Sequence, residues 1–236
     1  MKIEAFPDDV KAYMAPEPSG SYVYECFGCQ SHFGVESLLY TCPQCGSVLR
    51  IRDEQWDRFK AVPGTLWRKI FDYRSMVSAP SLKGVYRYYE LLGAVIPTRD
   101  VVYLGEGHTP TIRANARLND WVGMDVYFKN DGQNPSASFK DRGMASAFSY
   151  LRYIIRSQKL EDVLAICAST GDTSASAALY ASYFVRGVKS AVLLPHGKVT
   201  PQQLGQPLGS GAHVIEIPGV FDDCMKVVEH LADNYR

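Results

Sequence analysis

With 236 residues, 46% of them hydrophobic, the chain can bury a sizeable core as one large domain or two small ones, which excludes a disordered protein. Its 25 basic and 25 acidic side chains cancel, so it lacks the basic surplus of a dedicated nucleic-acid binder. No apolar run reaches membrane-spanning length, and the first twenty residues, polar and proline-bearing, hold no secretory core.

Taken in order, residues 1–20 read as a lead-in to the fold. Residues 21–52 form a compact cysteine segment with β-like runs at Ser21–Tyr24 and Val48–Ile51. Within it, Cys26-Phe27-Gly28-Cys29 and Cys42-Pro43-Gln44-Cys45 are two C-x-x-C knuckles with twelve residues between them. Four thiolates at this spacing suit tetrahedral Zn2+ in a closed structural site. Two disulfides or four free thiols are the alternative, and a chain without a secretion signal disfavours the first. The cytoplasm is the expected compartment. His32 lies between the knuckles, but four cysteines already fill the shell, so it reads as a surface residue.

Residues 53–95 turn helical and aromatic, broken at Pro63-Gly64 and Pro80, and read as linking material. From residue 96 the pattern is βα. Strands are expected at Val101–Leu104, Asp125–Phe128, Val163–Cys167, Ala191–Leu194 and His213–Ile217. Helices are expected from Lys140 to about Ser157, from Thr173 to Phe184, from Pro201 and from Phe221. Thr200, Pro201 and Gln203 spell a capping box with proline at the first helical position. This alternation predicts a three-layer α/β domain with a largely parallel sheet. The last helix reaches Tyr235-Arg236 with no glycine cap and no return strand, so the sequence reads there as cut rather than ended.

Two loops carry the chemistry. In Asn134-Pro135-Ser136-Ala137-Ser138-Phe139-Lys140-Asp141-Arg142-Gly143-Met144, a lysine opens a helix, where the dipole disfavours a cation. Taken alone, Lys140 reads as a solvated lysine; the alternative is a desolvated amine able to condense with an aldehyde. In Ala168-Ser169-Thr170-Gly171-Asp172-Thr173-Ser174, hydroxyls and a glycine sit between a buried strand and a small-residue helix. Such a junction binds anions through free N–H groups, or caps the helix and nothing more. Each loop opens a helix after a strand, so both could face one cleft.

Together these segments resemble the fold-type-II pyridoxal-phosphate enzymes, and the threonine synthases among them. The resemblance rests on NPSASFKDRGM around Lys140, STGDTSASA from Ser169 to Ala177, and Gly105-Glu106-Gly107-His108-Thr109-Pro110. Pro195–Val199, Gln203-Leu204 and Phe221–Asp223 continue it in the family's order, covering roughly residues 83–236. It implies an incomplete fold-type-II core over 96–236, preceded by the zinc-ribbon-like segment that some relatives also carry. It further implies pyridoxal 5′-phosphate held on Lys140, with Phe139 near its ring and Asp172 at its 3′-oxygen. An aspartate there would have to share a proton with that oxygen. Ser169, Thr170, Gly171 and Thr173 match the loop that holds the substrate's carboxylate or phosphate.

The implied reaction converts O-phospho-L-homoserine and water to L-threonine and phosphate, with Lys140 as the proton carrier. Cysteate synthase and hydroxyamino-acid dehydratases share the same early motifs, and a non-catalytic zinc-ribbon interaction module is the reading of another class. The family's cofactor-phosphate glycine loop and the arginine segment for substrate phosphate lie further along, with no candidate before Arg236, so the isolated chain is expected to turn over weakly or not at all. The implied partner is a small amino-acid phosphate, with neither nucleic acid nor membrane; monomer and homodimer both stay open.

Overall fold

The computed structural model describes residues 3–37, 39–92, 95–184 and 187–235. The chain separates into two compact units, Met1–Val102 with Ser149–Ser157, and Tyr103–Phe148 with Gln158–Arg236.

In the first unit, the lead-in is packed. Phe6, Val10 and Met14 recur at helical spacing around α1 (Asp8–Lys11), and all three are buried against Ile70 and Val77. Polar neighbours mask that three-residue stripe in the sequence. Two further helices, α2 (Asp57–Lys60) and α3 (Gly64–Met76), are separated at Pro63, where the sequence places a break. Arg74 on α3 is fully buried, and its guanidinium donates to the Tyr13 carbonyl, the Arg87 carbonyl and both oxygens of Glu90.

The cysteine segment is a three-stranded antiparallel sheet of order β2-β1-β3, from β1 (Tyr22–Cys26), β2 (His32–Gly34) and β3 (Leu49–Asp53). Cys26 pairs with Leu49 in register, which brings the first knuckle beside the chain leaving the second.

Val101–Leu104 is not a strand, contrary to the sequence pattern. The Val102 N–H donates to the Ser149 hydroxyl at 2.8 Å instead of to a neighbouring strand, and Val101 and Val102 are buried without a ladder. Apolar run length cannot tell a buried extended segment from a paired one.

The second unit holds an antiparallel pair, β4 (Thr111–Arg113) with β5 (Tyr127–Lys129), and a parallel sheet of order β6-β7-β8. Its members are β6 (Val163–Ala168), β7 (Val188–Pro195) and β8 (His213–Ile217). The middle strand reads Ala191-Val192-Leu193-Leu194-Pro195, all buried, as a strand covered on both faces must. Between Asn115 and Gly123 runs α4 (Ala116–Val122), capped by the Asn115 side chain and ended by Gly123 in the left-handed region.

Four longer helices follow: α5 (Lys140–Gln158), α6 (Asp172–Ser182), α7 (Pro201–Gly209) and α8 (Phe221–Asn234). Their starts fall at or within one residue of the expected positions. The Thr200 capping box forms, with its side chain accepting from the Gln203 N–H and the Gln203 side chain returning to Thr200 N–H. Ala178 on α6 packs on Val192, Leu194 and Ala212, so the small-residue helix lies close against the sheet. Of the described helices, none is long and apolar enough to cross a membrane.

Candidate active site and metal centre

Lys140 is the first residue of α5, half-buried, with its Nζ 4.7 Å from the ring centroid of the exposed Phe139. A cation over an aromatic face is a modest attraction when exposed. The loop before it is held much more firmly. Asp141 is fully buried and accepts from the Ser136 N–H at 2.7 Å, the Ser136 hydroxyl at 2.6 Å and the Ser176 hydroxyl of α6. A carboxylate at a helix start suits the dipole, and three donors satisfy it in the absence of water. Thus α6 grips the residue next to the lysine.

A second clamp lies upstream. Arg142 donates to both oxygens of Asp131, at 2.7 and 3.1 Å, and Thr109 adds its hydroxyl at 3.1 Å. The Arg142 bond, aided by Thr109 and Asn134 against a burial penalty, holds the Asp131 carboxyl down at about 2. The Asn134 side chain accepts from the Gly107 N–H at 2.9 Å and donates to the Asp131 carbonyl. Gln206 of α7 reaches the Ser136 carbonyl at 3.4 Å.

The hydroxyl loop sits at the carboxyl end of β6, with Gly171 as the N-cap of α6 and no side-chain cap. Ser169 is buried and its Oγ accepts from the Gly171 N–H at 3.2 Å, while the Ser174 hydroxyl donates to the Gly171 carbonyl at 2.6 Å. Thr170, Gly171 and Thr173 are half-buried and Asp172 is exposed, all within the first turn or just before it. Predicted site residues therefore occupy the starts of two helices, α5 and α6, that the Asp141–Ser176 bond ties together. Two cavities, of about 300 and 280 Å³, lie along β3, lined by Tyr22, Ile51, Trp56 and neighbours.

The sequence motifs contain Glu106, Asn134, Ser136 and Ser176 without giving them a role, and Asp131 lies outside them. Their signal was faint: a charge between two glycines, and serines in a loop and on a helix, become informative only once burial is known.

In the first unit the sulfurs of Cys26, Cys29, Cys42 and Cys45 all lie within 4.8 Å of one another, and none is in a disulfide. Cys26–Cys45 and Cys29–Cys42 sulfur distances are 3.4 and 3.6 Å. Zinc at about 2.3 Å from each sulfur would set them about 3.8 Å apart, a few tenths of an ångström more than these two pairs. The N–H groups of Gly28 and Cys29 both point at the Cys26 sulfur, at 3.3 and 3.4 Å. Ser47 bonds draw the Cys45 thiol down to about 6. For Cys26, burial and the neighbouring thiols outweigh the Cys29 N–H bond and push it up to about 11. His32 is exposed on β2.

Residues 102–236 match the family described as Pyridoxal-phosphate dependent enzyme. The chain belongs to this family. Its core is accordingly of the fold-type-II kind, with the lysine-bearing helix α5 and the loop before α6 both inside the matched residues. Among curated relatives it is 37% identical over 217 residues to the threonine synthase of Methanocaldococcus jannaschii, covering 88% of this chain and 46% of that protein. With the threonine synthase of Methanosarcina acetivorans the figures are 32% over 221 residues, 91% and 47%. A third, from Mycobacterium leprae, is 42% identical over 134 residues, covering 57% and 35%. The chain thus spans about half the length, or less, of the curated relatives it matches.

Proposed function

We propose that the chain carries the lysine-bearing part of a pyridoxal-phosphate lyase of the threonine synthase type, acting on O-phospho-L-homoserine and water to give L-threonine and phosphate. The observation that carries this reading is the placement of Lys140 at the opening of α5, one residue before a buried carboxylate bonded to α6. The likeness to three threonine synthases supports the substrate class. When bound, the cofactor supplies an electron sink for charge developing on the substrate.

The residues present fit such a group: a primary amine at the rim of a rigid loop, an exposed ring beside it, and an uncapped helix start. In this reading the Lys140 Nζ would hold the cofactor through its aldehyde carbon. Its free amine would carry protons between the substrate's α- and β-carbons and the cofactor. Ser169, Thr170, Gly171 and Thr173 present hydroxyl and backbone N–H donors to the substrate's carboxylate or phosphate at the positive end of α6. Asp172 would hold the cofactor at its 3′-oxygen, and Phe139 would pack near its ring. Cys26, Cys29, Cys42 and Cys45 hold a structural Zn2+, with no open coordination position for catalysis. Residues 96–236 are then the front part of the catalytic domain, 21–52 the ribbon, 53–95 its link and 1–20 the lead-in. The cytoplasm is the compartment this chemistry fits.

The test is covalent capture. Incubation with pyridoxal 5′-phosphate, borohydride reduction and peptide mapping should place the pyridoxyl mass on Lys140 ahead of the other lysines, and Lys140→Ala should remove it. Labelling spread evenly over the lysines would sink the assignment.

A further inference from the structure

Glu106 is completely buried within the Gly105–Pro110 turn. One carboxyl oxygen, Oε2, accepts from the Tyr180 hydroxyl at 2.8 Å and from the Leu104 N–H at 3.1 Å. The other, Oε1, is buried without a hydrogen-bond partner among the described residues. A buried carboxyl with a bare oxygen is costly, and a fold keeps one where it does something that apolar packing cannot.

The position of that turn shows what. Gly105 and Gly107 both adopt positive φ, at 112° and 79°, and His108 follows at 51°, so the backbone here is bent in a way that needs support. Glu106 supplies it from inside the bend, by bonding back to Leu104 and across to Tyr180. The next residue, Gly107, donates its N–H to the side chain of Asn134 in the loop 131–139 before the lysine. Two positions further, Thr109 donates to Asp131 in the same loop. On α6, Tyr180 lies four residues after Ser176, on the same helix face, and Ser176 holds Asp141 beside Lys140. Two routes therefore run from Glu106 to the lysine: through the turn to Asn134 and Asp131, and through α6 to Asp141.

We propose that Glu106 is a positioning residue for Lys140, locking the Gly105–Gly107 turn to α6 so that the loop 131–139 presents the amine in one place. It does not touch substrate or cofactor. The titratable groups that bear on it are Tyr103, Tyr180 and Asp141, none of them a cation; burial raises its carboxyl, and the charge of Asp141 adds to that against the Tyr180 and Leu104 bonds. Glutamine matches the shape of the side chain and keeps an oxygen to accept from Tyr180 and Leu104.

The inference rests on the role proposed for Lys140, and its test separates the two. Glu106→Gln, Glu106→Ala and Tyr180→Phe are compared with the unaltered chain by hydrogen exchange of residues 131–143. In parallel, pyridoxal 5′-phosphate with borohydride gives the labelling of Lys140 relative to Lys226. A lost buried hydrogen bond is worth about tenfold in opening equilibrium. Exchange in 131–143 should accordingly rise about tenfold in Tyr180→Phe, rise more in Glu106→Ala, which loses two such bonds, and stay near the unaltered rate in Glu106→Gln. The Lys140 labelling ratio should fall in the first two and be restored in the third. Tyr180→Phe removes one hydroxyl and leaves no large void, so it serves if Glu106→Ala does not fold. Unchanged exchange in Tyr180→Phe, or Glu106→Gln as damaging as the hydroxyl loss, overturns the proposal. Exchange that responds as expected while Lys140 is never labelled preferentially supports the positioning role and overturns the enzymatic reading instead.

Discussion

Two carboxyl groups beside the lysine loop respond to pH in opposite senses. Burial, with the charge of Asp141 adding to it, pushes Glu106 above the usual carboxylate range despite the Tyr180 bond. A group that binds its proton more tightly folded than unfolded contributes its full stability below the unfolded value, about 4.3, and loses it as pH rises through the folded value. Glu106→Gln should therefore gain stability over the unaltered chain as pH is raised from 5 to 8, read from urea midpoints of the second unit. Asp131, held at about 2 by Arg142, works the other way. Its contribution is complete above about 4 and disappears as pH falls towards 2. Asp131→Asn should flatten the acid limb of the same curve, and an acid limb identical in both proteins would remove this account of the loop. At this scale the sequence was legible wherever chemistry depends on residue type and local spacing, as at Lys140 and the four cysteines. It was not legible at Glu106, whose role arises from a helix 74 residues away in the chain.

Helices and ribbons bring these residues together, and two of them carry their own tests. Arg74 on α3 and Glu90, sixteen residues further along, form a charge pair with the guanidinium fully inside, each N–H satisfied by carbonyls or carboxylate. Removing one partner of such a pair strands the other charge, at a cost of about 3–5 kcal/mol. Glu90→Ala should lower the stability of the first unit by that amount in denaturant unfolding. Arg74→Met with Glu90→Leu together should recover much of the loss, since the pair's own net contribution is small. In the cysteine segment, metal removal tests the proposed zinc site. Zinc held by the four thiolates would contribute its binding energy as folding energy for so small a sheet. Chelator, or Cys42→Ser, should abolish exchange protection across 22–53 while 163–195 keeps its own, and zinc content should fall from one to zero per chain. Helix starts were readable because caps, prolines and glycines act within a few residues, as the Thr200 box shows. The buried run at Val101–Leu104 misled because its N–H partner, Ser149, lies 47 residues away.

For the whole chain, the decisive number is length. It spans about half of the curated relatives, 46% and 47% of the first two. Lys140 and the loop from Ser169 to Thr173 lie inside that span. Capture at Lys140 should then be weak and reversible: cofactor absorbance should be lost on gel filtration without borohydride, and phosphate release from O-phospho-L-homoserine should be undetectable beside a full-length relative. Stoichiometric retention or matching turnover would refute this.

What the sequence determined by itself was local: the lysine motif, the hydroxyl loop, the two knuckles, the parallel strands and the helix caps, since each depends on contacts between near neighbours. Tertiary structure alone decided which side chains are buried and which distant groups meet. It packed the polar lead-in around Phe6, Val10 and Met14, left Val101–Leu104 unpaired, and joined Glu106, Tyr180, Ser176 and Asp141 into one support. The physical reason is that burial and long-range hydrogen bonding are properties of a neighbourhood, and only the folded chain has one.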